Sequence, residues 1–229
     1  MLPLAEIVNI AYFMEAKRDF EPGPYDISIA EGSVTTEREI AVIKQIREQS
    51  KFLLAAGVCA SEGGIQGLRY FGDIDEMKAR AYPEPEKVHA LPLSRPYSEF
   101  VKVDYELQGC PIDRHQLLSV LGDLLLGRFP RVATNSVCLQ CKRKGNVCVL
   151  VAGGTTCMGP VTHDGCGALC PSYGRGCYSC FGPMDDPKPQ RFALELALRG
   201  MSDADIRRQF HKITSYATAY RGIKGGFDS

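Results

Sequence analysis

The chain has 229 residues, of which 45 % are hydrophobic and 24 % charged, with 27 basic side chains balanced by 27 acidic ones. That length admits one fair-sized domain plus a small appendage. With charge balanced, nothing in the composition points to nucleic acid or an anionic membrane surface as the main partner. No apolar run approaches a membrane span, and the start MLPLAEIVNI has neither a basic n-region nor a small-residue cleavage site. A cytoplasmic protein is therefore expected.

In chain order, IVNIAYF (7–13) is an apolar run of strand length, and YDISIAEGSV (25–34) is a second. TTEREIAVIKQIREQS (35–50) carries Ile40, Ile43 and Ile46 at helical spacing, with Thr35 or Thr36 as N-cap. KFLLAAG (51–57) and VKVDYEL (101–107) read as further strands, the latter followed by a helix over 113–126. Strands alternating with helices predict a parallel sheet covered on both faces. The fold class is therefore α/β, with residues 1–130 forming a flavodoxin-like, doubly wound domain. Cys59 follows KFLLAAG and Cys110 follows VKVDYEL, so both fall in loops at the carboxyl ends of parallel strands, where such sheets bind ligands. Glu31, in EGSV, belongs to the same edge. Read singly, each cysteine is equally well a small buried hydrophobe, and Glu31 a surface or capping carboxylate.

From residue 131 the regular pattern stops, and a lobe rich in Gly, Pro and Cys runs to 189. It holds Cys138, Cys141, Cys148 and Cys157, spaced C-x2-C-x6-C-x8-C, then Cys166, Cys170, Cys177 and Cys180, spaced C-x3-C-x6-C-x2-C. Each set of four thiolates is the complement of one [4Fe–4S] cluster or one structural zinc. In a reducing compartment clustered cysteines more often hold metal than pair as disulfides. Pro follows Cys110 and Cys170 directly, and glycines stand beside many of the cysteines. Both features favour a cluster, while spacing alone leaves zinc open. The apolar content of the lobe is low, so ligation has to supply part of its stability. His89, His115 and His211 read as surface or helix-face residues, and His163 as a loop residue. Residues 190–229 read as C-terminal helices: QRFALELALRG ending at Gly200, and a second capped by Ser202 and running to about residue 220.

EGSV (31–34), GVCASEGGIQGLR (57–69), VKVDYELQGCPID (101–113), CLQCKRKGNVC (138–148) and CMGPVTHDGCGALCPSYGRGCYSC (157–180) together resemble the small subunit of cytosolic [NiFe] hydrogenases. The branch is the F420-reducing, methyl-viologen-reducing and sulfhydrogenase type, and the likeness runs from about residue 4 to 190. The first half also resembles the 20-kDa subunit of respiratory complex I, which lacks an eight-cysteine lobe.

The resemblance implies an electron relay of [4Fe–4S] clusters on an oxidoreductase acting on H2, with no complete active site on this chain. Cys138, Cys141, Cys148 and Cys157 match the distal cluster, and Cys166, Cys170, Cys177 and Cys180 the medial one. Cys138 stands where membrane-bound relatives have a histidine. Cys170 stands where many relatives have proline and a three-iron cluster. Cys59 and Cys110 match two ligands of a proximal cluster, with Glu31 as a neighbour. The other two ligands come, in the family, from an N-terminal C-x2-C that this sequence lacks; MLPLAEIVNI looks like the segment just after it, as in a truncated sequence. Two clusters are thus complete on this chain, with a third if that motif is restored. The implied partners are the [NiFe] large subunit and a subunit binding flavin, NAD(P) or F420. Two alternatives stand beside this reading. One is a zinc-stabilised interaction module without redox role; the other is a cluster relay docking on a non-hydrogenase partner.

Overall fold

The computed structural model describes residues 7–16, 18–132 and 134–226. Its centre is a three-stranded parallel sheet in the order β1 (Tyr25–Glu31), β2 (Ser50–Ala56), β3 (Tyr105–Leu107). The helices of this half are α1 (Glu37–Glu48), the short α2 (Val58–Glu62), α3 (Ile74–Ala81) and α4 (Arg114–Leu125). Strand β2 is central and buried on both faces, which is why SKFLLAA is continuously apolar after its first two residues. Leu53 and Ala55 face one way, into a core with Ile43 of α1, Val34 and Tyr97. Leu54 and Ala56 face the other, against Leu107 and Val120 of α4. Helices thus cover both faces, as the strand–helix alternation predicts.

Helix α1 begins at a capping box. Thr36 Oγ1 accepts the Glu39 N–H at 3.3 Å, and Glu39 Oε2 accepts the Thr36 N–H at 2.9 Å. The third strand is shorter than VKVDYEL suggests. Asp104 spends its carboxylate on Arg47 and on the Leu53 N–H at 2.8 Å, so regular pairing starts only at Tyr105. The apolar run 7–13 is not a strand. It is irregular, with Ile7 and Tyr12 more than half exposed and Tyr12 packed on Phe20 at 4.4 Å. Its side chains find local partners rather than a place in the sheet.

The second half holds two short helices, α5 (Val137–Arg143) and α6 (Leu169–Ser172), and then α7 (Pro189–Leu198) and α8 (Asp203–Phe210). Helix α8 starts where Ser202 Oγ accepts the Asp205 N–H at 3.2 Å, but it ends at Phe210. Residues 211–221 form turns, because Tyr216, Ala217 and Tyr220 are buried together rather than along one helical stripe. The tail and the cysteine-rich lobe share one core: Val137, Met158, Val161 and Ala168 pack with Phe192, Leu196, Ile206, Phe210 and Tyr220. Tyr220 Oη donates to the Val161 carbonyl at 2.7 Å and ties the two together. Among the described residues no helix is long and apolar enough to cross a membrane.

Candidate metal centres

The sheet register sets up the first site. Glu31 is level with Ala56, and Ala56 with Leu107, so the three strands end in line at one edge. Cys59 lies three residues beyond Ala56, and Cys110 three beyond Leu107. The two loops are joined: the Gly57 N–H donates to the Leu107 carbonyl at 2.7 Å, and the Val58 N–H to the Gly109 carbonyl at 3.1 Å. Gly109, at φ +140°, permits the turn; a Cβ there would come within 2.7 Å of Ile112 Cα. Gly64 closes over the first thiol, since a Cβ at 64 would lie 2.5 Å from Cys59 Sγ. Burial, then the charges of Cys110 and Glu31, raise the Cys59 pKa, against a hydrogen bond to Gln66. The structure therefore brings Cys59, Cys110 and Glu31 to one edge. Glu31 is exposed, and its carbonyl accepts the Tyr97 hydroxyl at 2.6 Å.

The lobe gathers its eight thiols as two neighbouring groups. Burial, followed by the nearby thiols of Cys157, Cys148 and Cys141, pushes Cys138 up to about 11. In the other group Cys180 is pushed up to about 11 by burial and by Cys166 and Cys170. Burial also drives Cys177 up to about 12, with Cys157 and Cys180 adding to it. The groups meet at Cys157, whose Sγ accepts the Cys177 N–H at 3.2 Å; Cys177 Sγ in turn accepts the Ser179 N–H at 3.4 Å. Gly176 makes this crossing possible, because a Cβ there would stand 1.8 Å from the Thr156 carbonyl oxygen. Cys110 also bears on Cys180 across the seam between the halves, so the sheet-edge site and the second thiol group are neighbours.

All ten cysteines are free thiols, and among the described residues no three Cys, His, Asp or Glu side chains form a site for a single metal ion. The donor chemistry fits an iron–sulfur cluster. Cys138, Cys177 and Cys180, whose pKa values burial raises, become thiolates only against a compensating positive charge. Backbone N–H groups already aim at two of the sulfurs, as thiolates bonded to iron require.

Several residues around these sites carry no motif. Glu62 ends α2 one turn after Cys59 and meets Gln108, whose Nε2 donates to Glu62 Oε1 at 3.3 Å. Burial and the charge of Glu106 raise Glu62 to about 8, against the opposing charge of Arg221. The only sequence hint is position, since Glu62 follows Cys59 by three residues and Gln108 precedes Cys110 by two. His211 is not a surface residue: it stacks on Phe71 at 3.8 Å, half-buried, and burial lowers its pKa. His163 is half-buried and its Nδ1 contacts the Asp164 carbonyl.

Residues 1–124 match the NADH ubiquinone oxidoreductase, 20 Kd subunit family. The chain is 35 % identical over 210 residues to sulfhydrogenase 2 subunit delta of Pyrococcus furiosus, covering 91 % of this chain and 87 % of that one. It is 33 % identical over 213 residues to a subunit of the F420-non-reducing hydrogenase vhu of Methanocaldococcus jannaschii, covering 81 % and 73 %. Among solved structures, a chain of an NAD+-reducing [NiFe]-hydrogenase in the H2-reduced state superposes with a TM-score of 0.52 at 29 % identity, over 58 % of this chain and 81 % of that one. The chain belongs to the NADH ubiquinone oxidoreductase 20 Kd subunit family and, within it, to the small subunits of [NiFe] hydrogenases.

Proposed function

We propose that this chain is the iron–sulfur electron-transfer subunit of a [NiFe] hydrogenase complex, carrying electrons between a nickel–iron large subunit and a partner that binds flavin, NAD(P) or F420. What supports this reading is the four-plus-four spacing of eight cysteines in one lobe, beside a sheet edge that presents Cys59 and Cys110. Cys138, Cys141, Cys148 and Cys157 would hold the distal cluster. Cys166, Cys170, Cys177 and Cys180 would hold the medial one. Cys59 and Cys110 supply half of a proximal site near Glu31, and its other ligands would have to come from residues outside this sequence. When bound, a [4Fe–4S] group accepts and releases one electron without bond rearrangement in the protein.

The residues themselves do the positioning. Gly64, Gly109 and Gly176 let the backbone close on the thiols, and the Cys177 and Ser179 N–H groups donate to sulfur. The shared core of lobe and tail fixes the two thiol sets relative to each other. In this reading hydrogen chemistry belongs to the large subunit. A reducing cytoplasm is the compartment this reading requires, since it keeps clustered thiols unpaired.

The test is anaerobic purification of the tagged chain from its native cells. A nickel-containing partner should co-purify, and H2 should bleach the cluster absorbance of the complex. Iron without nickel, and no response to H2, would instead favour a relay on a non-hydrogenase partner. A zinc protein free of sulfide would leave only the interaction-module reading.

A further inference from the structure

One amide links the two halves of the chain beside their nearest thiols. Gln108 follows the last residue of β3 and precedes Cys110 by two positions, while Gly182 follows Cys180 by two. A Cβ at Gly182 would lie 3.3–3.4 Å from Cδ, Nε2 and Oε1 of Gln108 alike, so the whole amide rests against that glycine. Gly182 is itself fixed in the lobe: its N–H donates to the Ser179 carbonyl at 3.1 Å, and its carbonyl accepts the His163 N–H at 2.9 Å. Gln108 also meets the end of α2, where its Nε2 donates to Glu62 Oε1 at 3.3 Å. Three elements, α2, the end of β3 and the lobe, are thus joined through one side chain.

The other end of that amide is unanswered. Gln108 Oε1 is buried and has no hydrogen-bond partner among the described residues. A carbonyl oxygen left in that state loses its hydration for nothing in return. A Glu62 carboxylate has no hydrogen to offer it, whereas a Glu62 carboxylic acid has one. The two groups are planar and already share one bond. A proton on the second carboxyl oxygen lets them close a two-bond ring, amide N–H to one acid oxygen and acid O–H to the amide oxygen. The surroundings agree with this form. Burial and the like charge of Glu106, on β3, both disfavour a Glu62 carboxylate. Arg221, on the tail, opposes them, but its guanidinium lies over the Tyr216 ring at 5.0 Å. Tyr220, the other tail group that feels Glu62, gives its hydroxyl hydrogen to the Val161 carbonyl.

We infer that Glu62 in its acid form is a positioning residue, which holds both ends of the Gln108 amide and so latches the Cys110 loop against the lobe beside Cys180. When the proton leaves to water, the O–H···O bond is lost and a carboxylate faces the amide oxygen. The latch is therefore firmest in acid and loosens as pH rises towards the value at which the folded carboxyl ionises; above that value it loosens no further. Its meaning for electron transfer, the spacing between the sheet-edge thiols and the second thiol set, rests on the cluster reading above. The latch itself rests on hydrogen bonding alone.

The test is hydrogen exchange on the full chain, purified anaerobically, over residues 105–112 and 179–184. Rates corrected for the intrinsic effect of pH should rise by about threefold to about tenfold per unit between about pH 6 and about pH 8, tenfold being the limit for one proton. Glu62→Gln can donate and accept at the same two atoms without titrating, so its exchange should stay slow and independent of pH. Glu62→Ala leaves both ends of the amide unpaired and should exchange fast throughout. At about pH 7 the infrared difference between wild type and Glu62→Gln should contain the C=O stretch of a protonated carboxyl. The inference is overturned if Glu62→Gln shows the same rise as wild type, if it exchanges as fast as Glu62→Ala, or if the protonated-carboxyl band is missing. Variants are compared at equal iron and sulfide content, which keeps the two readings apart. Absence of sulfide removes the relay, while the pH response and the infrared band decide the latch.

Discussion

Gly176 shows how little freedom the cysteine-rich lobe leaves its residues. A methyl group there would overlap the Thr156 carbonyl, which is backbone and cannot swing aside. Gly176→Ala is therefore expected to destabilise the chain by about 2 kcal/mol or more in chemical denaturation, and to lower metal content, because the Cys157–Cys177 contact lies beside it. Glu62 makes a prediction about pH. Its carboxyl is held protonated in the fold to about pH 8, whereas in the unfolded chain it ionises near its usual 4.5. Between those values the folded state binds the extra proton, so stability falls as pH rises, by at most about 1.4 kcal/mol per pH unit. Glu62→Gln, which keeps the contact with Gln108, should flatten that slope. A denaturation series across pH 5–8 with identical slopes in the two proteins would refute this. At the thiols, Cys141→Ser should remove about four of about eight irons and leave the other set loaded.

At the scale of elements, α1 and the sheet depend on a few polar ties that the sequence shows only in part. Thr36 and Glu39 are readable as a cap from their spacing, and Thr36→Ala should cost about 1 kcal/mol. Asp104 is not readable in this way, because its partners Arg47 and the Leu53 N–H lie some fifty residues earlier. Against the penalty of burial, the Leu53 N–H and Arg47 hold its pKa below the usual carboxylate range. Its contribution is present above the unfolded pKa and is lost as pH falls through the folded one. Asp104→Asn should therefore lower stability at neutral and alkaline pH alike and flatten the loss of stability on acidification, so that the two proteins converge below the folded pKa.

The same contrast explains what else is legible in the sequence. Buried β2 and amphipathic α1 and α4 carry periodic signals. The run 7–13 has strand-like composition, yet a short apolar run says nothing about whether a neighbour is there to pair with. The second tail helix stops ten residues short of its expected end because Tyr216 and Tyr220 are buried by contacts with Gly63, Gly67 and the lobe, which no local pattern encodes. The four-plus-four division of the eight cysteines is a reading of their spacing alone. The nearness of Cys110 to Cys180, and the Glu62–Gln108 contact, exist only once the two halves pack.

For the whole molecule, the two halves form a path rather than two separate units. The sheet edge brings Cys59 and Cys110 together, Cys110 neighbours Cys180, Cys177 touches Cys157, and the first thiol group opens to solvent at Cys148. A relay needs this ordering: one end where a partner completes the site, and another where electrons leave. The tail locks the path by packing Phe210 and Tyr220 under the lobe, so that ligand spacing follows from a shared core. What the eight thiols hold decides whether this path carries electrons at all. Iron, acid-labile sulfide and zinc should be measured together on the anaerobically purified full chain. A two-cluster lobe predicts about eight irons and about eight sulfides bound by residues 138–180, with zinc absent; about two zincs per chain with no sulfide would contradict it.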